Sequence, residues 1–334
     1  MATTDVDKPS MFITERRDIA MSVELREGTV LDFSLKSDPW VKVVWARFTK
    51  NRAAKVSFNV FVFFTLIAVF WPILVALNPE GVQSFYHGNY GGGSNAYPNL
   101  RYPFGTDVIG RDLLSMMIAG SQTAMLVGIG STVILMVIGV PLGLFAGYYG
   151  GKTEEIIMRF TDFFLALPTL IISILAIRVI TQNFSQLLTL IHGFVPLVIL
   201  LVIGLLYWGG TTRLVSATTK QTIELEYVAA AKCLGASNRR IIFKHILPNI
   251  LAPLIVIGTL SVGSGITFEA AITYLGLGRP TDVSWGNMIN NSRQYILLHP
   301  QLALIPGLTI FAIVLAINLM GDTLRDALDP RLRE

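Results

Sequence analysis

The chain has 334 residues, of which 52% are hydrophobic and only 14% charged, and its mean hydropathy is +0.59. Soluble domains run about 45–50% apolar and about 25% charged, so this is a membrane composition. A net charge of +4 with no Lys/Arg block interleaved with aromatic residues argues against nucleic acid as a partner. The single cysteine, Cys233, cannot form an internal disulfide, and no His/Cys cluster suggests a metal site.

In chain order, residues 1–55 are polar, with mixed charges, and read as a cytosolic tail; the first apolar run comes too late for a secretory signal. Within that tail, 39–55 set Trp40, Val43, Val44 and Phe48 among Lys42, Arg47, Lys50 and Arg52. The pattern reads either as an amphipathic helix at the membrane surface or as a plain extension of the next helix. Six apolar segments follow, at about 56–77, 122–147, 156–180, 194–212, 249–275 and 301–321. Each meets or approaches the roughly 20 residues that a helix needs to cross a bilayer. The expected fold is all-α: a polytopic membrane bundle of six transmembrane helices over 56–321, ending in a cytosolic tail at 322–334. Lys and Arg gather around 42–55, 152–159, 213–244 and 325–333, while only Arg101, Arg111, Arg178, Arg279 and Arg293 fall in the alternate segments. The asymmetry places both termini on the cytosolic side. Pro141, Pro168, Pro196, Pro253 and Pro306 lie within spans and suggest kinks.

The stretch AGYYGGKT, 146–153, comes within one residue of a phosphate-binding loop. Ala146 stands where the loop needs its first glycine, and an apolar helix rather than a strand precedes it. It reads as a Gly-rich cytosolic turn, with Lys152 as an anchor and Thr153 capping the next helix. Energy for whatever the chain does must then come from elsewhere.

The longest inner loop, 213–247, contains EYVAAAKCLGASNRRIIFKHILPN. Alanines favour a short helix over Glu226–Leu234, Gly235 suits its C′ position, and Ser237 can cap a second helix that ends near Pro248. The small side chains of Ala229, Ala230 and Ala231 among Lys232, Arg239, Arg240 and Lys244 suit a helical hairpin on which another protein docks; an ordinary basic loop is the plainer alternative. This stretch resembles the EAA loop of ABC importer permeases, read as Glu-Ala-Ala, three residues, Gly, nine residues, Ile-x-Leu-Pro. Ala230, Ala231, Gly235, Leu247 and Pro248 fall in register, whereas Ala229 replaces the motif's Glu and His245 its Ile. Glu226 lies one helical turn before the missing carboxylate.

Three further stretches resemble the C-type permease subunit of the dipeptide, oligopeptide and nickel importers: PFGTDVIGRDLLS at 103–115, YLGLGRPTDVSWGNMI at 274–289 and NLMGDTLRDALDPRLR at 318–333. The resemblance covers about 40–333. It implies a type I ABC importer permease fold in the cytoplasmic membrane, and a non-catalytic subunit that forms half of a translocation pathway, carrying di- or oligopeptides. The implied partners are a B-type homologous permease, two ATPase subunits that hold the ATP and Mg, an extracytoplasmic substrate-binding protein and membrane lipid. No cofactor is expected on this chain itself. Glu226, Ala229, Ala230, Ala231, Gly235, Ala236, Arg239, Leu247 and Pro248 would form the ATPase-coupling site, and Gly105, Asp107, Gly110, Arg111 and Asp112 an outer-loop motif.

The remaining polar residues carry two readings each. Asp162 is either functional or paired with Arg159 on the same helix, and Glu269 either meets substrate or serves an outer-loop backbone. Asp107, Arg111 and Asp112 read mainly as ordering the outer loop, Arg178 as snorkelling to the outer interface, and His192 and His299 as solvated loop residues. The alternative of a secondary transporter would need its own coupling site and often repeated halves; no second copy of the VAAAKCLG hairpin occurs.

Overall fold

The computed structural model describes residues 40–76, 96–183, 195–277 and 283–328. The chain divides between Val43 and Val44 into two compact units. Of the first, only 40–43 are described, in the opening turn of helix α1 (Trp40–Lys50). His192, Arg279, the end of the first expected span, most of the expected N-terminal tail and residues 329–334 of the C-terminal tail lie outside the described residues.

The second unit is built of helices. Asn51 ends α1, and its Oδ1 accepts from the Ala53 N–H at 2.9 Å, capping α2 (Arg52–Ala76). Phe48, buried with Ala54 and Ala327 beside Val44, Phe58, Met320 and Leu324, holds the end of α1 against α2 and α10 (Gln301–Leu328). α3 (Leu113–Tyr149) starts earlier than the apolar run suggested, because Asp112 caps it. Its 37 residues reach about 55 Å at 1.5 Å per residue, well beyond a hydrocarbon core of about 30 Å.

Gly150 and Gly151, at φ +61° and +51°, turn the chain from α3 into α4 (Gly151–Ala166). That left-handed pair supplies the N-terminus itself, so Thr153 sits inside the first turn and is not the cap expected from the sequence. The third expected span, 156–180, is not straight. α4 and α5 (Thr169–Asn183) meet at 82°, since Pro168 offers no N–H and pushes Leu167 into extended backbone at φ −71°, ψ 137°. Glu154 pairs with Lys220, Asp162 with Arg213 and Thr169 with Tyr207, so α4 and α5 follow α6 (Val195–Ile223) in continuous antiparallel order. Counted as one broken span, the bent pair brings the five unbroken candidate spans among the described residues to six. Pro141, Pro253 and Pro306 remain inside continuous helices, and Pro196 sits in the first turn of α6.

Close α3–α6 packing organises the bundle. Gly139, Gly143 and Gly147 recur every four residues on α3, and a Cβ on Gly143 would stand 2.5 Å from Val215 Cβ and 2.7 Å from the Thr212 carbonyl. Small residues let the two backbones approach where lipid supplies no hydrophobic drive. After α6 come α7 (Glu226–Cys233), the long α8 (Asn238–Tyr274) and the short α9 (Trp285–Ser292). α8 does not stop before Pro248, as the sequence suggested. Ile241–Ile246 form a π-turn instead, and the helix runs on through Pro248 in its next turn. Wider i→i+5 bonding makes room for a ring that would otherwise strike the preceding turn.

Candidate coupling hairpin and outer loop

The hairpin is built by local rules. α7 ends in a Schellman motif: Gly235 at φ +76° donates to the Lys232 carbonyl at 2.9 Å, and the Ala236 N–H reaches the Ala231 carbonyl at 3.1 Å. Ser237 Oγ accepts from the Arg240 N–H at 3.4 Å, starting α8. The expected helix, glycine C′ position and serine cap are all present.

One face of this hairpin is anchored. Val228, Ile241, Ile242, Ile246 and Ile250 are buried with Leu144 of α3 and Val215 of α6, and Ala236 and Leu247 are packed against them. Tyr148, at the end of α3, donates its hydroxyl to Asn238 Oδ1 at 2.9 Å, and Lys232 Nζ lies 5.8 Å from the centre of the same ring. The carbonyl of His245, inside the π-turn, accepts from Asn249 Nδ2 at 2.6 Å and from the Tyr227 hydroxyl at 3.5 Å. Partial desolvation raises the Tyr227 phenol above its usual value.

The other face is open. Glu226, Ala229, Ala230, Gly235, Arg239 and Pro248 are exposed, with Lys232, Arg240 and Lys244 around them. The small face expected from three alanines is thus split, because one helical turn cannot point three successive side chains the same way. Ala231 turns inward and is 8% exposed, while Ala229 and Ala230 face out. Glu226 begins α7, where a carboxylate complements the helix dipole, and is exposed on the hairpin.

The outer-loop motif forms a tight knot before α3. Asp107 Oδ1 accepts from the N–H groups of Ile109 at 3.0 Å and Arg111 at 2.8 Å, and Oδ2 meets Arg111 Nε at 2.7 Å. Gly105 and Gly110 take φ +82° and +83°, closing the turns around a single bridge between Thr106 and Asp112. Asp112 accepts from the N–H of Ser115 at 3.0 Å and from its hydroxyl at 2.6 Å. These three charged side chains order the loop, and Asp107 and Arg111 with Met116, Met288 and Leu302 line a cavity of about 270 Å³ that is partly open to solvent.

Several side chains meet in ways the sequence did not reveal. Asp162 pairs with Arg213 across α4 and α6, while Arg159 pairs with Glu155 at 2.6 Å; the expected Arg159–Asp162 pair is absent because both find better-placed partners. Glu269 is 1% exposed within α8, with the hydroxyls of Ser284 and Thr273 beside its carboxyl. Arg178 is exposed on α5, and the His299 ring lies tilted beside Tyr97, their centres 5.2 Å apart. Trp285, unremarked in sequence, is fully buried and donates Nε1 to the Met117 carbonyl at 3.1 Å. Ser284 three residues before Asn287, whose N–H its Oγ accepts at 3.1 Å, was the available sign that a helix starts there. The YLGLG stretch is a second Schellman end: Gly276, at φ +85°, donates to the Thr273 carbonyl and Leu277 to that of Ile272.

The hairpin is anchored where the ends of α3, α6 and α8 meet. Residues 139–334, which contain the whole of it, match the family described as the binding-protein-dependent transport system inner membrane component. The chain belongs to that family. Residues 38–92 match the N-terminal transmembrane domain of oligopeptide transport permease C. The chain is 34% identical to a dipeptide transport system permease protein of Alkalihalophilus pseudofirmus over 88% of its own length and 91% of that protein. It is 36% identical to a di/tripeptide transport system permease of Pseudomonas aeruginosa over 88% and 93%, and 32% identical to an oligopeptide transport system permease of Bacillus subtilis over 92% and 95%. This permease is accordingly a multi-pass inner-membrane subunit of an ABC importer.

Proposed function

We propose that this permease carries di- or oligopeptides, forms half of the pathway beside a B-type homologous permease, and passes ATPase motion into its spans through the α7–α8 hairpin. Both termini and the hairpin lie on the cytosolic side, where Lys and Arg concentrate. Two ATPase chains hold the ATP and Mg, and an extracytoplasmic binding protein delivers the peptide. The observation that carries the reading is the two-sided hairpin: one face is locked to α3, α6 and α8, and the other is open with small residues and cations. A rigid element docked on one side and welded to spans on the other converts a population shift in the ATPases into a shift of the bundle. The peptide names of the relatives support the cargo class.

Copurification of the tagged chain from its native membrane tests this. Wild type should bring down a homologous permease and ATPase chains. Ala230→Arg, on the open face, should lose the ATPases alone. A chain recovered by itself that still moved peptide without ATP would defeat the coupling reading and favour secondary transport.

A further inference from the structure

The bend between α4 and α5 leaves main-chain groups open inside the span. Two backbone bonds reach into it, Leu167 N–H to the Phe164 carbonyl at 3.3 Å and Ile172 N–H to the Pro168 carbonyl at 3.0 Å. Among the described residues, the N–H groups of Thr169, Leu170 and Ile171 and the carbonyls of Leu165 and Ala166 make no hydrogen bond. The depth follows from the neighbouring helix. Thr169 Oγ1 lies 3.2 Å from the Tyr207 hydroxyl, and Tyr207 follows Val195, the first residue of α6, by about 18 Å of helix at 1.5 Å per residue. Arg213, which pairs with Asp162, follows Tyr207 by only six residues, so the break falls within a hydrocarbon core of about 30 Å and not at its edge.

Lipid cannot satisfy such groups, and each one left dry costs several kcal/mol. Non-helical backbone persists at that depth only where protein covers it or water reaches it. This chain does not cover it: Leu165 is 41% exposed, Leu170 38% and Ile171 56%. A hydroxyl pair at the apex adds polarity where a lipid-facing surface would be apolar. We infer that the Ala166–Thr169 break lines the water-filled solute pathway, where its open N–H and C=O groups meet the main-chain amides of a passing peptide. The inference rests on the permease reading. It also assigns a chemistry to the wall, since main-chain groups are common to all peptides whatever their side chains.

Cysteine accessibility in the assembled complex, in membrane vesicles, tests it. Cys233 is exposed and is first removed as Cys233→Ser. Leu165→Cys and Leu170→Cys are then compared with Phe311→Cys, a 63% exposed position on α10, using a positively charged methanethiosulfonate. The two break positions should react faster than Phe311→Cys by on the order of tenfold, because the reagent needs water, and their rates should change when ATP is trapped on the complex. Rates no faster than that of Phe311→Cys in both nucleotide states would place the break in lipid and overturn the inference. So would slow reaction accompanied by efficient disulfide cross-linking to the second permease, which would make the break a dry interface. ATP-dependent uptake by the Cys233→Ser parent, measured in the same vesicles, reports on the permease reading separately. Uptake with an inert break sinks only the pathway wall.

Discussion

A Cβ on Gly120 would stand 2.6 Å from Cδ1 of Trp285, so the indole occupies the notch that the glycine leaves on α3. Its Nε1 donates to the Met117 carbonyl one turn earlier, and Phe64 of α2 meets the ring edge-on at 5.7 Å. One side chain thus ties α9 to two spans. Trp285→Ala is expected to cost about 3–5 kcal/mol by leaving a large void, whereas Trp285→Phe, which keeps a ring but loses the donor, should cost nearer 1 kcal/mol. Thermal unfolding in detergent checks the order. Equal losses would mean that the hydrogen bond, and not the volume, holds α9.

Gly143 and Gly307 separate packing from propensity. A Cβ at Gly143 meets Val215 and the Thr212 backbone, while at Gly307 nothing lies within 4 Å. Gly143→Val should therefore force α3 and α6 apart and destabilise by at least about 1–3 kcal/mol. Gly307→Ala should be neutral or stabilising by roughly 0.5–1 kcal/mol, since alanine loses less backbone freedom in a helix. Denaturant midpoints of the purified permease measure both, and a tolerant Gly143 would refute the close α3–α6 contact.

The outer knot offers a local test. Asp112→Ala removes the cap of α3 and should cost about 1 kcal/mol, with amide exchange quickening over 113–116. Asp107→Ala leaves two N–H donors and the Arg111 guanidinium without their acceptor, and should loosen 105–111 as well. Transport in the two variants separates ordering from substrate contact: a loss of uptake with the knot intact would give Asp107 a role beyond holding the loop.

What the sequence disclosed was local, and what it concealed was distant. The Ala-rich α7, its Gly235 end and the Ser237 cap obey rules that operate within a few residues, so they were legible. Pro168 was visible too, but a hydropathy window sums across a bend and reads 156–180 as one straight span. Asp162 had a cation three residues away, yet its partner Arg213 stands 51 residues on, and only the α4–α6 packing brings it close. The π-turn over IIFKHI has no compositional mark, because the same residues suit an α-helix equally well. The split of the alanine face follows from helix geometry once the anchored side is known, and that side is a property of Leu144 and Val215, far away in the chain.

That split makes the folding and docking roles of the hairpin separable. Gly235 has open space around its missing Cβ, so Gly235→Ala adds no clash and acts through its φ of +76°, a conformation that costs an L-residue roughly 1–2 kcal/mol. It should loosen the Schellman end and raise amide exchange across 231–237. Ala230→Arg leaves the anchored face untouched, because Ala230 is exposed, and should preserve that exchange pattern while abolishing ATP-dependent uptake. Ala231→Arg should do both kinds of damage, since Ala231 is buried beside the core that holds the hairpin. The comparison is made by hydrogen exchange and vesicle uptake on the same preparations. If Ala230→Arg transported normally, the open face would not be the dock, and coupling would have to run through α4 or the ends of the spans instead.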